Sequence, residues 1–106
     1  MTGATLIFAL NHPCGAGHFP GNPIIPGAIL LDEVLAIIGM HLGAGEGGWN
    51  VKSAKFPQPV RPGDEVRIDY VITLAGDIRF ECSVSESKVL LGVAISHSGI
   101  VESTST

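Results

Sequence analysis

Residues 28 to 42, "AILLDEVLAIIGMHL", constrain the fold of this chain more than any other stretch. The run has helix length and is apolar all round except at Asp32, Glu33 and His41. A helix lying on a surface carries one apolar stripe, whereas one that is apolar on every side has to be wrapped. The simplest wrapping is a curved sheet. Pro26-Gly27 opens the helix, since a proline at a helix start loses only an N–H that would be unpaired anyway. The pattern predicts a helix from Gly27 to about Leu42, roughly 24 Å long at ~1.5 Å per residue. "GAGEGG" at 43 to 48 ends it. That glycine run is a poor phosphate cradle, because no Lys-Ser/Thr follows and no strand leads into it.

The remainder alternates like strands. In "VRIDYVITL", Val66, Ile68, Tyr70, Ile72 and Leu74 share one face; Arg67, Asp69 and Thr73 take the other. "IRFECSVSE" repeats this, with Ile78, Phe80, Cys82 and Val84 on the apolar side. "VLLGVAIS" at 89 to 96 is more uniformly apolar, as in a central strand. Residues 4 to 10, "ATLIFAL", suit a short buried strand. Ala75-Gly76-Asp77 and Ser87-Lys88 are hairpin-sized joints, and "RPGDE" places Pro and Gly as a turn requires. The reading is one strand, a proline-rich loop, one long helix, then four strands. The fold class is α+β, a single antiparallel sheet around a central helix, in one domain over 1–106. Residues 99–106 are mostly polar and expected to fray.

Composition narrows the function. Of the 106 residues, 45% are apolar and 15% charged. A domain this short buries only about 60–70% of its unfolded surface, so part of that apolar surplus is expected to be covered by a second subunit. The net charge is −4, with few and scattered Lys and Arg. That excludes a basic nucleic-acid footprint and a basic membrane-surface helix. Cys14 and Cys82 lack metal-site spacing and give no disulfide framework. No His, Cys and acid grouping suggests a metal, and no cofactor motif is present. The apolar runs are too short for a signal peptide or a bilayer span, so a soluble, cytoplasmic protein is expected.

The chemistry concentrates in residues 17 to 32, "GHFPGNPIIPGAILLD". His18 sits in a segment stiffened by Pro20, Pro23 and Pro26. Asp32 appears just inside the helix. A potential base and a potential acid thus come from two stiff elements, as proton transfer at carbon needs. The helix beginning near Gly27 aims free N–H groups at the space between them. Taken alone, His18 reads as a turn residue and Asp32 as a carboxylate stabilised by the helix dipole. Glu33 lies about 100° further round the helix and reads as structural or interfacial. His12, His41 and His97 read as surface or satisfied residues.

"GHFPGNPIIPGAILLDE" resembles the active-site segment of the 3-hydroxyacyl-acyl carrier protein dehydratases, hot-dog fold enzymes of fatty-acid and polyketide synthesis. The "HFPG" and "PG" elements match in sequence and spacing, and the carboxylate falls fourteen residues after the histidine. Asn11 fits as well. "KFPQPVRPGDEV" at 55 to 66 is similar to the family's first long strand and turn after the helix. The resemblance spans roughly residues 5 to 98. Asp32 stands where many members carry Glu, and Ala36 where a glutamine is common. The N-terminal segment usual in the family is not in this sequence.

The resemblance implies a hot-dog fold and a hydro-lyase converting a 3-hydroxyacyl thioester to the trans-2-enoyl thioester. It implies His18 as base, Asp32 of the other subunit as the acid serving the hydroxyl, and the Gly27 N–H as donor to the thioester oxygen. An apolar tunnel along the helix is expected, with Phe19, Ile25, Ile29 and Phe56 among its walls. The partners implied are a second copy of the chain and an acyl thioester carried on acyl carrier protein. Lys52, Lys55 and Arg61 are the candidate contacts to an acidic carrier. Two other functions remain open: a hot-dog acyl thioesterase, and a non-catalytic dimeric acyl-binding protein.

Overall fold

The apolar alternation and the one helical run build two layers, seen in a computed structural model that describes residues 2–9, 24–43 and 48–96. Strand β1 spans Thr2–Ile7, helix α1 Gly27–Leu42 and strand β2 Trp49–Lys55. Strands β3 (Glu65–Ile72), β4 (Ile78–Val84) and β5 (Ser87–Ser96) follow. They form one antiparallel sheet in the order β1-β3-β4-β5-β2. With α1 on one face, this is the hot-dog fold. Asn11, His12, Cys14, His18, Phe19, His97 and the polar tail from 99 lie outside the described residues.

Alternation decides which face of the sheet meets the helix. Val66, Ile68 and Tyr70 are buried with Ile78, Phe80 and Cys82, and α1 adds Leu30, Val34, Leu35 and Ile38. Fully burying such a side chain contributes about 1.5–3 kcal/mol. The register places Ile68 opposite Cys82 and Tyr70 opposite Phe80, so like faces coincide across the hairpin. The other side of α1 carries Ala28, Asp32, Ala36 and Met40, all exposed in a single chain. Their spacing of four residues keeps them on one helical face.

Three boundaries differ from the sequence reading. β1 begins at Thr2 and ends at Ile7, not at residue 10. The Phe8 carbonyl accepts the Gly63 N–H at 2.8 Å, so the chain has already left the ladder. β1 is also an edge strand, with Ile7 exposed rather than buried. The β4–β5 turn falls at Ser85-Glu86, because Ser87 already pairs with Val84. Ser85 takes the left-handed conformation, at φ 56, without the glycine that usually announces it. Ile72 and Leu74 share the alternation of the core face but are exposed.

The helix ends and the turns follow local chemistry. The Pro26 carbonyl accepts the N–H of both Ile29 and Leu30 at 3.0 Å. In "RPGD", the Asp64 N–H donates to the Arg61 carbonyl at 3.0 Å, and the Asp64 carboxylate accepts the Arg61 N–H at 2.9 Å. Gly63 there has φ 92, a conformation that favours glycine.

Candidate active site at the start of the helix

Two segments meet at the N-terminus of α1. The Ile25 N–H donates to the Val60 carbonyl at 2.7 Å, forming an isolated antiparallel bridge. This ties the approach to the helix against the chain that leaves β2. Between them lies an open groove of about 340 Å³. Its walls include Ile24, Ile25, Gly27, Leu30, Phe56 and Val60. Among the described wall residues, Gln58 is the one with a polar side chain. An apolar cleft with few placed polar groups has the character of a small-molecule site.

Gly27 is the first residue of the helix and has no side chain of its own to fill this corner. A Cβ placed on it would lie 3.0 to 3.1 Å from three carbons of the Phe56 ring. The absence of a side chain is what lets the ring approach the backbone. Among the described residues, neither the Gly27 nor the Ala28 N–H donates to a protein acceptor. Both belong to the first turn, where N–H groups have no intrahelical partner and the helix dipole is positive. The groove therefore offers hydrogen-bond donors at its mouth and apolar walls within.

The sequence-predicted residues divide into three groups. Ile25, Gly27 and Phe56 come together in the groove. Ile29 packs against the core cluster and is not one of the groove walls. Asp32 is exposed, in the open row with Ala28, Ala36 and Met40. It lies about 140° round the helix from Gly27. The Asp32 side chain and the groove of one chain thus face different ways. His18 and Phe19 lie outside the described residues.

Other candidate groups resolve simply. The Lys52 ammonium is held by Asp77 at 3.1 Å. Lys55 and Arg61 form no ion pair among the described residues. His41 is exposed, with its Nδ1 3.4 Å from the buried Tyr70 hydroxyl. Cys82 is a free, buried thiol. Burial, with Asp69 next in weight, pushes its pKa up from 9.0 to about 12. Among the described residues, no three His, Cys, Asp or Glu side chains converge as a metal site would need. No described helix is long and apolar enough to cross a membrane.

Gln58 was not singled out by the sequence. It follows the "KFP" segment, and nothing in its neighbours shows that residues 56–60 would fold against the helix start. A larger, shallow depression of about 730 Å³ lies on the outer sheet face, bordered by Lys55, Arg79, Glu81 and Lys88. It has no helix terminus and, among the described residues, none of the expected catalytic or acyl-tunnel residues, so the smaller groove is the candidate site.

The chain belongs to the ApeI-like dehydratase family, whose family model matches residues 3–93. Among curated relatives, 3-hydroxyacyl-acyl carrier protein dehydratase FabZ of Haemophilus influenzae (strain PittEE) is 36% identical over 69 residues. That match covers 58% of this chain and 47% of the relative. The FabZ of Caulobacter sp. (strain K31) is 40% identical over 76 residues, covering 62% and 46%. The chain thus spans about half the length of the curated relatives it matches. In three dimensions it is similar to the dehydratase heterocomplex ApeI:P from Xenorhabdus doucetiae, at TM-score 0.71 and 21% identity. That superposition covers 88% of this chain and 83% of the other. A protein from Erwinia carotovora subsp. atroseptica also gives TM-score 0.71, at 25% identity, covering 88% and 79%. The structural likeness establishes the shared fold.

Proposed function

We propose that this chain dehydrates a 3-hydroxyacyl thioester to the trans-2-enoyl thioester, in fatty-acid or polyketide-type synthesis, as a homodimer. The observation that carries the reading is the apolar groove that opens beside the first-turn N–H groups of Gly27 and Ala28, which have no acceptor among the described residues. A thioester oxygen received there gains negative charge as the neighbouring carbon loses its proton. Fixed N–H donors and the helix dipole stabilise that charge, and losing one such donor typically costs about 10²–10³ in rate. The family membership and the FabZ relatives support the same chemistry.

His18 is the base in this reading. An imidazole exchanges its proton near neutral pH, which suits abstraction from carbon. Asp32 of the other subunit hydrogen-bonds the leaving hydroxyl, directly or through a water. Within one chain Asp32 is turned away from the groove, which supports an acid delivered from a second copy. The substrate arrives on an acyl carrier protein, and Lys55 and Arg61, which form no ion pair among the described residues, are its candidate contacts.

The test is to incubate the purified protein with 3-hydroxyacyl pantetheine and carrier-protein thioesters of several chain lengths. The expected product is the enoyl thioester, followed by its absorbance. Release of free thiol would replace this reading with a thioesterase. Binding without turnover would make the chain an acyl-binding protein.

A further inference from the structure

The groove at the helix start has unequal walls. Ile25, Leu30 and Val60 belong to the buried core, and the Ile25–Val60 bridge fixes their backbones. Close-packed side chains of this kind yield little space to a ligand. Phe56 differs. It follows the last residue of β2 and is 43% exposed. Its ring occupies the position above Gly27 that a side chain there would otherwise fill. With Gln58 and Pro59, Phe56 is one of the exposed walls, so its ring is freer to move than the core walls.

The groove is also small. Its volume of about 340 Å³ is near the lower end of the roughly 300–1,000 Å³ found for ligand clefts. From Gly27 to Leu30 the helix advances only about 4.5 Å. An acyl tail entering beside the Gly27 N–H runs between the buried Ile25, Leu30 and Val60 and the Phe56 ring. A longer tail has to displace Phe56.

We infer that Phe56 sets the length of the acyl chain this site accepts: its ring, seated on Gly27, narrows the groove and selects short chains. The inference rests on the dehydratase reading for the identity of the thioester head group. Phe56 is a specificity residue and takes no part in the proton transfers.

Wild type, Phe56→Ala and Phe56→Leu should be assayed with 3-hydroxybutyryl, 3-hydroxyhexanoyl and 3-hydroxydecanoyl pantetheine thioesters. The matching unreactive thioethers should be titrated by calorimetry. Wild type should favour the butyryl substrate. Phe56→Ala should raise the decanoyl-to-butyryl ratio of kcat/KM by about tenfold or more, chiefly through KM, with Phe56→Leu between the two. An unchanged ratio in both folded variants would overturn the inference, as would a wild type that prefers decanoyl. Thioether binding that shows the length preference and its shift, without any turnover, would sink the dehydratase reading and keep the role of Phe56. A wild type that binds none of the thioethers would overturn both.

Discussion

At the scale of single residues, steric contacts and buried ionisation give the sharpest consequences. Gly92 lies in β5 under the Phe80 ring; an added Cβ would overlap that ring and come within 3.0 Å of the Ser53 carbonyl oxygen. Phe80 is buried and has no room to retreat. Gly92→Ala should therefore cost about 1–3 kcal/mol, read from the urea midpoint, and Phe80→Leu in the same chain should recover part of it. The Cys82 thiol keeps its proton to about pH 12 in the folded chain, against 9.0 for an ordinary thiol. Between those values the unfolded state binds fewer protons, so stability falls as pH rises; below 9.0 the contribution is fully present. Unfolding midpoints at about pH 8 and about pH 10.5 should fall further in wild type than in Cys82→Ala. Equal slopes would show that the thiol ionises in the folded chain as readily as in the unfolded one. At this scale the sequence showed Cys82 on the apolar side of its strand. It did not show the Phe80–Gly92 contact, which depends on β4 and β5 pairing in one particular register.

Among elements, the helix was the most legible, because Pro26-Gly27 and Gly43 punctuate a continuous apolar run. α1 occupies Gly27–Leu42 as the pattern predicts. Strands β3 and β4 were legible through alternation, but alternation does not say where a strand outruns its cover. Val66, Ile68 and Tyr70 are buried, whereas Ile72 is half-exposed and Leu74 fully exposed on the same side. The difference predicts opposite responses to substitution. Ile68→Ala should cost about 2–5 kcal/mol, while Leu74→Ser should stay within about 0.5 kcal/mol. Chemical denaturation of both variants checks this, and a large loss for Leu74→Ser would mean that the hairpin tip is covered in solution. β2 carried the weakest signal. A register shift between Val51 and Ser53 breaks its alternation, and only Trp49 and Ala54 are partly buried along it. An apolar tunnel was expected from the family resemblance rather than from the residue pattern, for a related reason. Residues 56–60 form no regular element, and their place against the helix start is fixed by one bridge far apart in sequence, Ile25–Val60.

At the scale of the whole molecule, groove and acid lie on different sides of the chain. Gly27 and Phe56 face one side of the chain, and Asp32 stands on the exposed row of α1. A site built from one copy would have to bring Asp32 about 140° round its own helix; a site shared between two copies needs no such change. The proposed dimer can be tested by complementation. His18→Ala and Asp32→Ala should each abolish dehydration while leaving the chain folded. After subunit exchange between the two variants, a mixed dimer holds one site with both residues intact and one with neither. Random exchange makes about half the dimers mixed, so recovered activity should approach roughly a quarter of wild type when sites act independently. If His18 and Asp32 of the same chain form the site, every site in every mixture lacks one partner and mixing restores nothing. Exchange is verified by native mass spectrometry, so that a null result counts against the shared site rather than against the mixing. Full activity in either single variant would remove that residue from the mechanism, whatever the oligomer.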